Sequence, residues 1–197
     1  MGSNLQSLDA IKPLAEQEEK DSVRKEYKEG VGFLAQKEFG QAAVALHNAL
    51  LGFEERNDEH GIANACNQLG HACLGRGDFE GALKHYQRVF ELCDRANDRM
   101  SVVAVLKKMV EAQRGLKQRE KALASAFAIL DHYQDNRDPQ GTVDTLETIA
   151  EVYLEMGEKE KAADTYRTVA SIHKNFRHSK IAEKYMEKAA SLLAAAS

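Results

Sequence analysis

The sequence predicts an all-α protein, a solenoid of four helix hairpins followed by one C-terminal helix. A pattern recurs every 40 residues and is marked by Ala42, Ala82, Ala122 and Ala162. In each copy the apolar residues follow helical spacing, and the 197-residue chain has only two prolines, so nearly all of it can be helical. A fixed period without gaps is typical of stacked units rather than of one closed core.

The bulk composition excludes several classes of protein. The net charge is −4, whereas a general nucleic-acid binder needs a basic face to displace counterions from phosphates. No run of about eighteen apolar residues is present, so no membrane span is predicted. The N-terminal residues lack the apolar core of a signal peptide, and we therefore expect a cytoplasmic protein.

The second repeat shows how the helices begin and end. Apolar and small residues recur at helical spacing over 63–74, and Gly77 then breaks the helix. Asp78 is placed to cap the second helix, whose apolar face begins at Phe79 and whose end is marked by Asn97-Asp98. The same signals in the other copies place the four repeats at about 22–60, 61–100, 101–140 and 141–178.

The segments outside the repeats are an arm, a cap and a tail. Residues 1–21 are expected to form a loose helix, interrupted at Pro13, or a disordered arm. Residues 179–193 are expected to form a capping helix that shields the last repeat, followed by a tail at 194–197. The inner face of that capping helix is predicted to carry Ile181, Tyr185, Met186, Ala189 and Leu193.

Catalytic and metal-binding patterns are weak. The three cysteines, Cys66, Cys73 and Cys93, are not spaced as a disulfide framework, and we interpret them as small buried apolar residues. His71 beside Cys73 is the one hint of a metal site. The seven histidines form no metal-protease or nucleophile motif, so we predict no enzyme, no catalytic residue, no metal and no cofactor.

The repeats resemble those of the tetratricopeptide-repeat (TPR) family. The second and fourth copies carry the resemblance best, and the third, with Gln113 and Arg119 at aromatic positions, carries it least. Its period of 40 rather than about 34 is similar to that of spindle-orientation adaptors and kinesin light chains. The resemblance covers residues 22–193 and rests on Leu69-Gly70, Gly77-Asp78-Phe79, Ala82, Tyr86, Tyr153, Gly157, Ala162 and Tyr166.

The resemblance implies a right-handed α-solenoid whose first helices line a concave groove that binds a peptide. Asp144, Glu147, Glu151 and Glu155 are spaced by three and four residues and so share one helix face. We predict that this face receives a basic segment of a partner. The alternative is a solvated charged face, with Lys107 paired to Glu147 of the next repeat.

Polar side chains of the second repeat are the other groove candidates. Amides such as Asn67 and Gln68 offer both a donor and an acceptor to a peptide backbone, and His71 is nearby. A clamp for chaperone C-termini is not predicted, since only Lys108 among its positions is a cation. The remaining predicted groove residues are Tyr27, Asn64, Lys107 and Arg114.

Two functions of different class follow from these patterns. The first is a protein-interaction scaffold that holds a peptide or helical segment of another protein in the concave groove. The alternative is a structural or self-assembling module, a homodimer or larger homo-oligomer, that pairs through the N-terminal repeat and arm or through Phe127. A small helical-bundle enzyme or metal protein is the least supported class.

Overall fold

The protein is helical throughout the part of the chain that the structure describes. The computed structural model describes the backbone of residues 8–194 and the side chains of residues 22–194. Over that range no strand is present, and the all-α repeat architecture is confirmed. The helices are α1 (Leu8–Ala35), α2 (Phe39–Glu55), α3 (Glu59–Gly75), α4 (Phe79–Arg95), α5 (Arg99–Gly115), α6 (Arg119–Asp135), α7 (Pro139–Glu155), α8 (Lys159–Asn175) and α9 (Ser179–Ala194).

Two compact units divide the chain. The first, residues 1–97, contains α1 to α4, and in it each helix packs against the next. The second, residues 98–197, contains α5 to α9, again with each helix against its successor. The repeat boundaries stay a prediction. Much of the predicted arm and tail lies outside the described residues, although the α1 backbone already begins at Leu8.

Every turn between helices contains one residue in the left-handed conformation, and these residues recur every 20 positions. At the end of α2, the Asp58 N–H donates to the Phe53 carbonyl and the Asn57 N–H to the Glu54 carbonyl, both at 3.0 Å. This hydrogen-bond pair closes the helix and satisfies two of its last carbonyls. The left-handed residues are Lys37, Asn57, Gly77, Asn97, Lys117, Arg137, Gly157 and Arg177.

Aspartates directly after these residues begin four of the helices. The Asp78 carboxylate accepts from the Gly81 N–H at 2.9 Å, which confirms the predicted cap of α4. Asp58, Asp98 and Asp138 cap α3, α5 and α7 in the same way, at 2.9 to 3.1 Å. The short Asn-Asp signal in the sequence is therefore both a helix end and a helix start.

Within a hairpin, a small residue of the first helix faces a large residue of the second. A Cβ added to Gly70 would lie 2.5 Å from Tyr86 Cε1, and one added to Gly30 would lie 2.6 Å from Leu46 Cγ. Such separations are too short for real contacts, so a side chain at either glycine would have to displace the large residue that faces it. Tyr86 is fully buried as a result.

The capping helix α9 packs on the last repeat through a narrower stripe than predicted. Ala182 and Ala189 are buried, and the Tyr185 ring stacks on Tyr166 with centroids 6.1 Å apart. Ile181 and Met186, predicted to face inward, are 41% and 51% exposed, so that part of the prediction is wrong. They lie at the two edges of the stripe, because residues at 182, 185 and 189 already fill the contact with α8.

Replacing a lysine in the left-handed conformation by glycine should stabilise the protein, and replacing a glycine in that conformation by alanine should destabilise it. Lys117 has φ 59° and Gly77 has φ 75°. Because this conformation costs an L-residue about 1–2 kcal/mol, Lys117→Gly should raise the free energy of unfolding by about 0.5–1 kcal/mol. Gly77→Ala should lower it by about 1 kcal/mol. Urea denaturation measures both changes.

The matched control is Lys121→Gly, in an exposed position inside α6. It should lower the free energy of unfolding by about 1 kcal/mol, because glycine is a poor helix former. Equal destabilisation by Lys117→Gly and Lys121→Gly would contradict the left-handed assignment.

Candidate functional site

In the first unit, several predicted groove residues already contact the core. Tyr27 is half-buried and meets the Phe53 ring edge to face, with centroids 6.1 Å apart. His71 Nδ1 lies 3.0 Å from the Tyr86 hydroxyl, so the imidazole holds the phenol that fills the second repeat. Asn64 is exposed, while Asn67 and Gln68 are half-buried beside it on α3. The three amides are thus the most available polar groups of this set.

In the second unit, an arginine from α5 occupies part of the acidic face of α7. The Arg114 guanidinium lies 3.1 Å from a Glu151 oxygen and donates to Glu155 at 2.6 and 2.8 Å. Burial works against the charge of Arg114, but the hydrogen bonds and charges of Glu155 and Glu151 outweigh it and raise its pKa. Three predicted groove residues, Arg114, Glu151 and Glu155, therefore form one charge-assisted cluster. In it, two carboxylates of α7 bind a guanidinium of the same chain.

Lys107 and Glu147, which the sequence predicts as an alternative pair, contact different partners. Glu147 accepts a hydrogen bond from the Tyr185 hydroxyl of α9. The Lys107 ammonium lies over the Tyr133 ring, 5.1 Å from its centroid, where the π-system attracts the cation. Among the ion pairs of the described residues there is none between Lys107 and Glu147, so that predicted pair is wrong.

Asp144 and Glu147 are the acidic residues of α7 that hydrogen bond to neutral donors, and Asp144 is the exposed one of the two. Asp144 accepts from the Gln140 amide at 2.7 Å, a neutral partner one turn earlier on α7. A neutral donor stabilises the carboxylate without cancelling its charge. This residue is therefore the best placed of the acidic set to pair with a cation from outside the chain.

A pocket of about 210 Å³ lies between α5, α6 and α7, beside Asp144. Its apolar walls are Val110, Ala126 and Ile129, and its rim carries Lys107 and Asp144. Thr145 and Thr148 complete the lining. Their hydroxyls donate to backbone carbonyls of α7 at 2.7 and 3.1 Å, so these donors are satisfied inside the helix.

Sequence reasoning missed this pocket, although a signal is present in the repeat. Ala126 occupies the position that Leu46, Tyr86 and Tyr166 hold in the other copies. A change from a large to a small side chain at a core position removes volume unless neighbours fill it. Tyr185 and Gln140, which hold Glu147 and Asp144, also had no recognisable signal in the repeat pattern.

Burial disfavours the reactive form of two of the three cysteines. Cys66 is buried, and burial raises the pKa of its thiol, as it does for Cys73, which disfavours the nucleophilic thiolate. Over the described range, no group of three or more His, Cys, Asp or Glu side chains is placed to hold a metal ion. Of the helices searched in the same range, none has the length and apolarity that a membrane crossing requires.

Comparisons with known families find the same repeat. Two family models, each described as tetratricopeptide repeat, match residues 63–96 and residues 143–176. A comparison with curated protein sequences gives no match. The narrower likeness to kinesin light chains and spindle-orientation adaptors stays a prediction.

Solved structures share the fold at low sequence identity. The apo form of RapI has a TM-score of 0.67 and 14% identity, covering 84% of this chain and 60% of that one. Aspartyl phosphate phosphatase F from Bacillus subtilis has a TM-score of 0.65 and 11% sequence identity. The match covers 83% of this chain and 44% of the phosphatase. BtubC from P. vanneervenii has a TM-score of 0.59 and 13% sequence identity. The match covers 91% of this chain and 89% of BtubC. The chain thus spans 60% and 44% of the first two structures.

Removing the charge of Glu147 should make Tyr185 easier to ionise. Burial and the hydrogen bond to Glu147 raise the pKa of Tyr185 to about 12 from its ordinary 10.0. Because the folded pKa exceeds the unfolded one, this contribution to stability is complete below pH 10 and is lost as the pH rises through about 12. Glu147→Gln should lower the pKa of Tyr185 partway toward 10.0.

A pH titration by NMR of protein with labelled tyrosines measures this change. The control is Glu183→Gln, which removes an exposed carboxylate from α9 itself. An unchanged pKa of Tyr185 in Glu147→Gln would show that the glutamate does not hold the phenol.

Proposed function

Because the chain belongs to the tetratricopeptide-repeat family, we propose that it is a protein-interaction scaffold that binds a basic segment of a partner protein. The proposed binding surface in the second unit is formed by α5 and α7. It contains the acidic face of α7, in which Asp144 retains its charge. The single observation that carries the proposal is the Arg114 cluster, since it is a working example of a guanidinium bound on this face.

The charges of this face support a cationic partner. Glu151 is 53% exposed beyond its contact with Arg114, and Asp144 is about two helical turns away from it. A lysine or arginine next to Asp144, with a second cation near Glu151, matches that separation. Exposed pairs of this kind contribute about 0.2–1 kcal/mol each, so they select the partner more than they hold it.

In the first unit we propose a different kind of contact. Asn64, Asn67 and Gln68 are placed to hydrogen bond with the backbone of an extended segment, since an amide both donates and accepts. His71 instead hydrogen bonds with Tyr86, and Tyr27 packs edge to face on Phe53. These two residues therefore support the surface through core contacts rather than by binding the segment. We also propose a cytoplasmic location, where thiols stay reduced, since none of the three cysteines forms a disulfide.

The experiment uses peptides selected from a random phage-display library on the wild-type protein. The test variant is Asp144→Asn combined with Glu151→Gln, which keeps the shape and removes two charges. Its affinity for the selected peptides should fall by about fivefold to tenfold, because two pairs of up to about 1 kcal/mol are lost. Calorimetric titration at low and high salt measures the change, and the loss should shrink at high salt.

The matched control is Glu120→Gln combined with Asp131→Asn, two exposed acidic positions on α6. It changes the net charge by the same amount and should leave the affinity within twofold of the wild type. If both double variants bind the peptides equally well, the acidic face is not the binding surface.

Self-association is the second candidate function, and an exposed apolar side chain favours it. Val44 on α2 is 65% exposed, and it lines a surface depression together with Phe33 and Ala45. If this hairpin edge pairs two copies, light scattering should give a mass that rises with concentration. Val44→Glu should abolish the rise, whereas Met100→Glu, 70% exposed on α5, should not. A monomer mass at every concentration contradicts self-association.

A further inference from the structure

The third repeat lacks the large core side chain that its sister repeats carry. Tyr86 and Tyr166 are 0% and 1% exposed, and Leu46 is fully buried at the same repeat position. Ala126 stands there in the third repeat. The protein therefore encloses an aromatic ring at this place in two repeats and leaves the ring out of a third.

The residue that faces Ala126 is also different in the third repeat, but its larger side chain replaces only part of the missing volume. Gly70 faces Tyr86 and Ala150 packs in the same cluster as Tyr166, whereas the third repeat has Val110 at that place. Valine replaces some of the missing volume. The space that remains is the pocket of about 210 Å³ between α5, α6 and α7, with Val110, Ala126 and Ile129 as its apolar walls.

The pocket reaches the proposed binding surface. Its rim includes Lys107 and Asp144, both exposed, and the half-buried Thr148. Lys107 lies over the Tyr133 ring on the α5 side, while Asp144 on the α7 side has a neutral amide as its partner. A ligand that fills the pocket therefore meets an exposed carboxylate that is hydrogen bonded to a neutral amide.

We propose that this pocket takes one aromatic side chain of the partner segment, next to a basic residue that pairs with Asp144. This inference rests on the proposed function, because it assigns the anchor of the segment that the scaffold binds. The ring is the choice that the repeat itself supports, since Tyr86 and Tyr166 fill the same position. A buried ring in a fitted pocket is the usual centre of such an interface, and the charges at its edge add selectivity.

Two analogues of aromatic side chains, p-cresol and toluene, test the pocket without a peptide. The methyl groups of Ile129, a pocket wall that every variant below keeps, should show saturable NMR shifts when either compound is added to the wild-type protein. Val110→Ala with Ala126→Tyr copies the fourth repeat and fills the pocket from inside. In this variant the shifts should be lost and the apparent affinity should fall by at least about tenfold.

A second filled variant protects the test against misfolding. Val110→Gly with Ala126→Leu copies the first repeat, where Gly30 faces Leu46. Circular dichroism and thermal melting show which filled variant is folded, and that variant is used. Absence of saturable shifts in the wild type, or equal shifts in wild type and filled variant, overturns the pocket.

Peptides selected from the phage library test the anchor. Those that bind the wild type should carry an aromatic residue beside lysine or arginine. Changing the aromatic residue to alanine should weaken binding to the wild type by at least about tenfold and leave binding to the filled variant unchanged. Asp144→Asn should weaken binding of these peptides to the wild-type pocket, because the ion pair with their basic residue is lost.

The possible failures point to different conclusions. Peptides that bind wild type and filled variant equally overturn the anchor, while the proposed scaffold function stands. If the library yields no peptide that binds the wild type, the scaffold function fails even where p-cresol binds.

Discussion

The close approach of the two helices in each hairpin is the constraint on which the rest of the structure depends. It is achieved by a small residue facing a large one, as with Gly70 and Tyr86 or Gly30 and Leu46. A Cβ on either glycine would overlap the ring or leucine that faces it, so that side chain would have to shift. In the fourth repeat, where Ala150 takes the glycine position, Tyr166 is still buried in the same cluster. The 40-residue period repeats this small–large contact in the first, second and fourth repeats, and it sets which face of each helix is turned toward its hairpin partner.

The third repeat departs from that constraint, and the departure has two consequences at one place. Val110 and Ala126 replace the small–large pair and leave a pocket, while Arg114 on the same helix as Val110 binds Glu151 and Glu155. The α5–α7 surface is therefore both partly neutralised and partly open. Asp144 retains its charge between these two features, which is why the proposed partner carries a cation and a ring together.

The sequence predicted helices and turns well because their signals are local. The left-handed Asn57 and the capping aspartate Asp78 are each specified by a few neighbouring residues, and both were recognisable. The side-chain partners were less predictable. Spacing places Glu147 on the face with Glu151, but Tyr185 of a helix 38 residues away decides its contact, and Lys107 turns to Tyr133. Likewise, helical spacing alone made Ile181 an inner residue of α9, although the packing leaves it exposed.

The sequence by itself determined the class, the period, the helix ends and the acidic character of α7, since all four depend on residue type and spacing along the chain. Only the tertiary structure decided which charges remain unbalanced and where volume is missing. Arg114 and Glu155 are 41 residues apart, and the pocket needs three helices to enclose it. Charge balance and packing are properties of neighbours in space, and a repeat pattern fixes positions on a helix without fixing what lies across from them.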